Sequence, residues 1–86
     1  MTTQDDLDAR IGARIRTERE SRGWSLTELA QRSTVSRAMI HKVERGESSP
    51  TANLLGKLSG AFGLSISSLI ARAESQPVSY THLTLP

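Results

Sequence analysis

The chain has 86 residues, only 3% of them aromatic, and carries 11 basic against 9 acidic side chains for a formal net charge of +2. One domain is the expectation at this length, and its core has to be aliphatic. The lack of cysteine excludes a disulfide framework and a thiolate metal site, two distant histidines make no metal motif, and no apolar run approaches membrane-spanning length. The polar start MTTQDDLDAR is unlike a secretory signal, so a cytoplasmic location is expected. Charge position is more telling than the net value. All three aspartates lie within the first eight residues, and only Glu44 and Glu47 oppose the basic groups from Arg32 to Lys57.

The first helix is predicted from about Asp5 to Arg22 on the periodic set Leu7, Ile11 and Ile15, with acid at its start and Gly23 as its stop. Arg10, Arg14, Arg16, Glu20 and Arg22 are expected on its solvated face with Glu/Arg pairs, with Arg10 or Arg14 at a phosphate as the alternative. Trp24 precedes the cap of the next helix, where it can staple against Leu29 or, exposed, stack on a base. Ser25 with Glu28 three residues on reads as a capping box for a second helix over 26–33, whose apolar face is Leu26, Leu29 and Ala30. The first amides of that helix, with the Ser25 or Thr27 hydroxyl, can hold a phosphate.

Ser33-Thr34-Val35 breaks the period, and Ser36 caps a third helix running to about Arg45. Val35, Ile40 and Val43 supply its buried side, which leaves Arg37, Ala38, His41, Lys42 and Arg45 facing out. A short helix with a small, basic outer face, held at an angle by a partner helix, suits a DNA major groove. Gly46 to Thr51 is a loop by composition, and Thr51 caps a fourth helix, about Ala52 to Phe62. Gly63 turns the chain, and Ser65 caps a fifth helix on Ile66, Leu69 and Ile70, expected to end near Arg72.

The ordered set Glu28-Leu29-Ala30, Val35-Ser36, Ile40, Glu44-Arg45-Gly46 and Ser49-Pro50-Thr51 resembles the Cro/lambda-repressor-like helix-turn-helix domain, the xenobiotic-response-element family. The resemblance covers roughly Ile11 to Ala71 and implies an all-α fold, a compact five-helix bundle containing a helix-turn-helix. It implies that Arg37, Ala38 and Lys42 meet base edges, Arg37 by a bidentate bond to guanine and Ala38 on a thymine methyl. Ser25, Thr27, Ser36, Arg19 and Arg45 are expected at the DNA backbone, and Arg19 is also expected to pair with Glu44. Met39 either fills core or touches a thymine methyl, and His41 faces solvent or reads a base. Glu47 is expected to point away from phosphate. One departure stands out: Thr34 occupies the turn position where the family most often has glycine, because the chain there is left-handed.

The function that follows is a sequence-specific transcriptional regulator, most simply a repressor, binding double-stranded DNA at a palindromic operator as a homodimer, without cofactor or metal and away from membranes. Two alternatives stay open: an antitoxin that represses its own operon, and a protein-interaction module without DNA binding. No Ser/His/Asp grouping, metal-ligand spacing or phosphate-binding glycine loop points to an enzyme. Such domains often precede a cupin sensor, so an effector-binding domain is expected outside this chain. The DNA-binding domain is assigned to 1–73 and a disordered tail to 74–86, within which Val78 to Pro86 resembles the translation of a sequencing-library adaptor; the natural sequence is expected to depart from this one at or before Pro77.

Overall fold

The computed structural model describes residues 4–75, and within them every regular element is helical: α1 (Gln4–Ser21), α2 (Leu26–Ser33), α3 (Arg37–Glu44), α4 (Ala52–Phe62) and α5 (Ile66–Ser75). Each helix sends at least one fully buried aliphatic side chain to a shared centre: Ile15, Leu29, Ile40 and Val43, Leu58, and Leu69. α1 lies between α3 on one side and α5 on the other, and α2 packs on α3 and α4. No single helix among the described residues is long and apolar enough to cross a membrane.

Local chemistry fixes where the helices begin. The Ser25, Ser36, Thr51 and Ser65 hydroxyls each accept from the amide three residues on: Glu28 at 3.0 Å, Met39 at 3.1 Å, Leu54 at 3.1 Å and Ser68 at 3.0 Å. The capping box at Ser25 is half built, because the Glu28 carboxylate turns to Arg32 at 2.6 Å.

Two kinds of residue fix where they end. Gly23 closes α1 in the left-handed region, its amide bonding Glu20 while the Trp24 amide reaches back to Arg19. Gly46 closes α3 in the same way, through the Val43 and Lys42 carbonyls. Thr34 does so for α2 at φ 59° and ψ 27°, so the β-branched residue does sit left-handed. Beside it the buried Ser33 hydroxyl donates to the Leu29 carbonyl at 2.7 Å and accepts from the Val35 amide at 3.3 Å, which stabilises the turn.

Two expectations need correction. α5 continues past Arg72 to Ser75 because Ala73 is buried, so Glu74 and Ser75, assigned to the tail, are helical; residues 76–86, including the adaptor-like stretch, lie outside the described residues. Trp24 packs against the core that contains Leu29 and also stacks on Phe62 of α4, with ring centroids 5.9 Å apart. The expected Glu/Arg pairs form along α1, but Arg14 and Arg22 are half-buried on Glu18 instead of solvated.

Candidate nucleic-acid interface

α3 buries Ile40 and Val43 and leaves Arg37, Ala38, His41, Lys42 and Arg45 exposed. All three residues expected to read bases therefore share the solvent side of one two-turn helix. Arg37 is distinct among the arginines. Every other arginine is hydrogen-bonded or ion-paired, whereas the Arg37 guanidinium bonds to none of the described residues. It is an exposed, unpaired fork of donors at the first turn of α3, the chemistry a guanine edge or a phosphate takes up.

Two contacts hold α3 from behind. The first is a close approach at Gly12, which is buried on α1. A Cβ there would lie 2.1 Å from the Val43 carbonyl oxygen and 3.1 Å from that of Glu44, so only glycine lets α1 reach the last turn of α3. The second is the Arg19–Glu44 pair. Arg19 Nε donates to Glu44 Oε2 at 2.7 Å and Nη2 to Oε1 at 3.0 Å, while Nη1 donates to the Trp24 carbonyl at 2.9 Å. The two side chains are 12% and 5% exposed. The bond to Glu44 raises the Arg19 pKa further above its usual value, against the opposing effect of burial. With three donors committed and little surface open, Arg19 is a poor phosphate ligand. Of its two expected roles, the geometry supports the pairing.

The backbone-contact candidates sit at the rim. Ser25, Thr27 and Ser36 are exposed at the starts of α2 and α3. Each capping serine accepts from an amide and keeps its hydroxyl hydrogen free to donate to a phosphate. Arg45 is paired at 2.8 Å with Glu47, and both side chains are more than half exposed. Glu47 lies against Arg45, and Arg45 reaches a phosphate only by releasing it, a low-cost exchange for an exposed pair. Met39 is half-buried against the core and weakly bonded to the Ser48 hydroxyl at 3.8 Å, which favours its core role. His41 stays exposed and lines a groove with Leu26, Arg37 and Ala38; beyond it a second cleft is walled by Arg16, Arg19, Glu44 and Arg45.

The remaining cations of α1 point elsewhere. Glu18, 4% exposed, receives Arg14 at 2.9 Å, Arg22 at 2.8 Å and Arg72 of α5 at 3.0 Å. Burial pushes the Glu18 pKa up, but the hydrogen bonds from Arg22, Arg72 and Arg14 outweigh it and hold the carboxyl at about 2. Arg10 reaches the Glu74 carbonyl at 3.4 Å. At roughly 100° per residue, Arg14 projects from the side of α1 opposite Gly12. Arg10 thus links α1 to the end of α5 directly, whereas Arg14 is held by Glu18 on its own helix, the same carboxylate that receives Arg72 of α5. Neither Glu18 nor Gly12 was singled out in the sequence. The available signals were a carboxylate on the Ile11–Ile15 face with arginines four residues before and after it, and a glycine inside an otherwise uninterrupted helical pattern.

The helix-turn-helix (HTH_3) family profile matches residues 15–69. The chain belongs to that family. The helix-turn-helix domain is 35% identical over 71 residues to the HTH-type transcriptional regulator SutR of Escherichia coli K12, a match covering 83% of this chain and 40% of SutR. It superimposes on an HTH_3 family transcriptional regulator from Vibrio cholerae with a TM-score of 0.76 at 38% identity, covering 81% of this chain and 39% of that one. It also superimposes on the clp gene regulator ClgR from Corynebacterium glutamicum with a TM-score of 0.75 at 30% identity, covering 84% and 92% of the two chains. The helix-turn-helix domain thus spans less than half the length of SutR and of the Vibrio regulator. Its five helices are the all-α, lambda-repressor-like bundle.

Proposed function

We propose that this domain binds double-stranded DNA in a sequence-specific manner as part of a transcriptional regulator, with α3 in the major groove. The observation that carries the reading is Arg37, the one arginine among the described residues left without a partner, exposed on the helix that the family uses for recognition. Arg37 bonds guanine, Ala38 packs on a thymine methyl and Lys42 reaches a neighbouring base or phosphate one turn along. Ser25, Thr27 and Ser36 donate hydroxyls to the backbone on either side, and Arg45 joins them by exchanging Glu47 for a phosphate. Arg19 and Glu44 fix the angle at which α3 enters.

The regulator acts by occupancy. Two copies bind a palindrome with half-sites about one helical turn apart, and blocking polymerase gives repression. Effector control belongs to a further domain outside this chain, such as a cupin. That extension is supported by the length of SutR relative to the matched region.

Selection of bound sequences from a random DNA pool tests the reading. Enrichment of a symmetric site whose halves are about one turn apart is the expected result, and a pool unchanged after several rounds overturns it. Affinity measured against salt should fall with a slope of about 0.9 per neutralised phosphate, and Arg45→Ala should reduce that slope by about one unit.

A further inference from the structure

The recognition face has a component that does not come from α3. Leu26 is the first residue of α2 and only half-buried, and it lines one groove with Arg37, Ala38 and His41. Around the free guanidinium, therefore, stand an isobutyl group and a methyl group. Among the described residues, the polar side chains on that groove are those of Arg37 and His41. A base pair beside one gripped by Arg37 meets apolar surface supplied by two helices, and the one apolar feature a base pair shows in the major groove is the C5 methyl of a pyrimidine.

We propose that Leu26 is a specificity-determining residue, closing with Ala38 an apolar seat for the C5 methyl of the pyrimidine next to the guanine held by Arg37. The inference rests on the DNA-binding reading and adds to it a residue outside the recognition helix and a defined ligand group. Thymine fills the seat, and 5-methylcytosine presents the same group at the same atom. Uracil and cytosine leave the Leu26 and Ala38 methyl groups facing water.

Deoxyuridine removes that methyl and nothing else. With the site recovered from random-pool selection, each thymine is replaced in turn by deoxyuridine and binding to the 86-residue chain is measured. One replacement in each half-site, beside the guanine whose preference is lost on Arg37→Ala, is expected to weaken binding about fourfold, the worth of one buried methylene-sized group. At the same position 5-methylcytosine should bind more tightly than cytosine. Leu26→Ala should abolish both differences, and Leu26→Met, which keeps apolar reach, should retain them. Because Leu26 also touches the core, melting curves accompany both variants, and the deoxyuridine scan on the unaltered chain stands whether or not Leu26→Ala folds. Specific binding with thymine and deoxyuridine equivalent at every position overturns this inference alone, as does discrimination that survives in a folded Leu26→Ala. Absence of any sequence preference overturns the DNA-reading proposal and this inference together.

Discussion

Replacing Gly12 with alanine sets helix propensity against packing. In the interior of a helix the change normally stabilises by about 1 kcal/mol. Here the added carbon would stand 2.1 Å from the Val43 carbonyl oxygen, whereas close carbon–oxygen contacts lie at about 3.3–3.6 Å. α1 and α3 would have to separate by roughly 1 Å, and the obstacle is main chain, which cannot swing aside as a side chain does. Overpacking of this kind costs typically about 1–3 kcal/mol, and separating the helices also strains the bidentate Arg19–Glu44 bonds. Net destabilisation of about 1–2 kcal/mol is expected, a fall in Tm of roughly 4–8 °C per kcal/mol for a domain of this size. Gly60 is the internal control: it is helical and exposed, with nothing within 4 Å of its Cβ position, so Gly60→Ala should stabilise by up to about 1 kcal/mol. Thermal melts followed by circular dichroism compare the two. A Gly12→Ala protein as stable as the parent, beside a stabilised Gly60→Ala, would refute the claimed approach of the two helices.

Three further outcomes follow from the same structure. Thr34→Gly should stabilise by about 0.5–1 kcal/mol in chemical denaturation, since the left-handed conformation costs a β-branched residue roughly 1–2 kcal/mol and glycine's extra freedom in the unfolded chain returns part of that; an unchanged or lower stability argues against relief of backbone strain. Glu44→Ala should destabilise by about 3–5 kcal/mol by leaving Arg19 charged and largely buried, and the double variant Arg19→Met/Glu44→Leu should recover most of that loss, with additive losses contradicting the pairing. Glu18 has a folded pKa of about 2, below the ordinary value of 4.5, so the unfolded chain takes up its proton first as pH falls. Its contribution, at most about 3 kcal/mol, is fully present above pH 4.5 and disappears as pH drops toward 2; stability curves from pH 5 to pH 2 should therefore be flatter for Glu18→Gln, and parallel curves would contradict the network.

Much of the frame was legible in the sequence because its punctuation is chemical. Ser25, Ser36, Thr51 and Ser65 start helices where a hydroxyl can accept an amide, and Gly23, Gly46 and Gly63 stop them where the chain turns left-handed. The end of α5 was missed because Ala73, its last buried residue, is too small to extend an apolar period. What stood hidden was interaction at a distance. Periodicity marks Arg14 and Arg22 as polar but says nothing about whether water or Glu18 receives them, and it treats Gly12 as a weak helix former when the position is a helix-crossing point. The outer face of α3 was readable for the opposite reason: a short helix with two buried aliphatic residues leaves little choice about which side chains remain outside. Leu26 escaped notice because an apolar residue on the core face of α2 reads as core, and only the folded groove shows its other side beside Arg37.

Whether Arg37 reads a base is decided by sequence preference profiles of the parent and of Arg37→Ala over the same randomised DNA pool. The variant is expected to lose preference at one base position in each half-site, by about 1–3 kcal/mol of discrimination, while the other positions keep theirs. A variant weakened equally toward all sequences, with its preferences intact, would make Arg37 a phosphate contact and not a base reader.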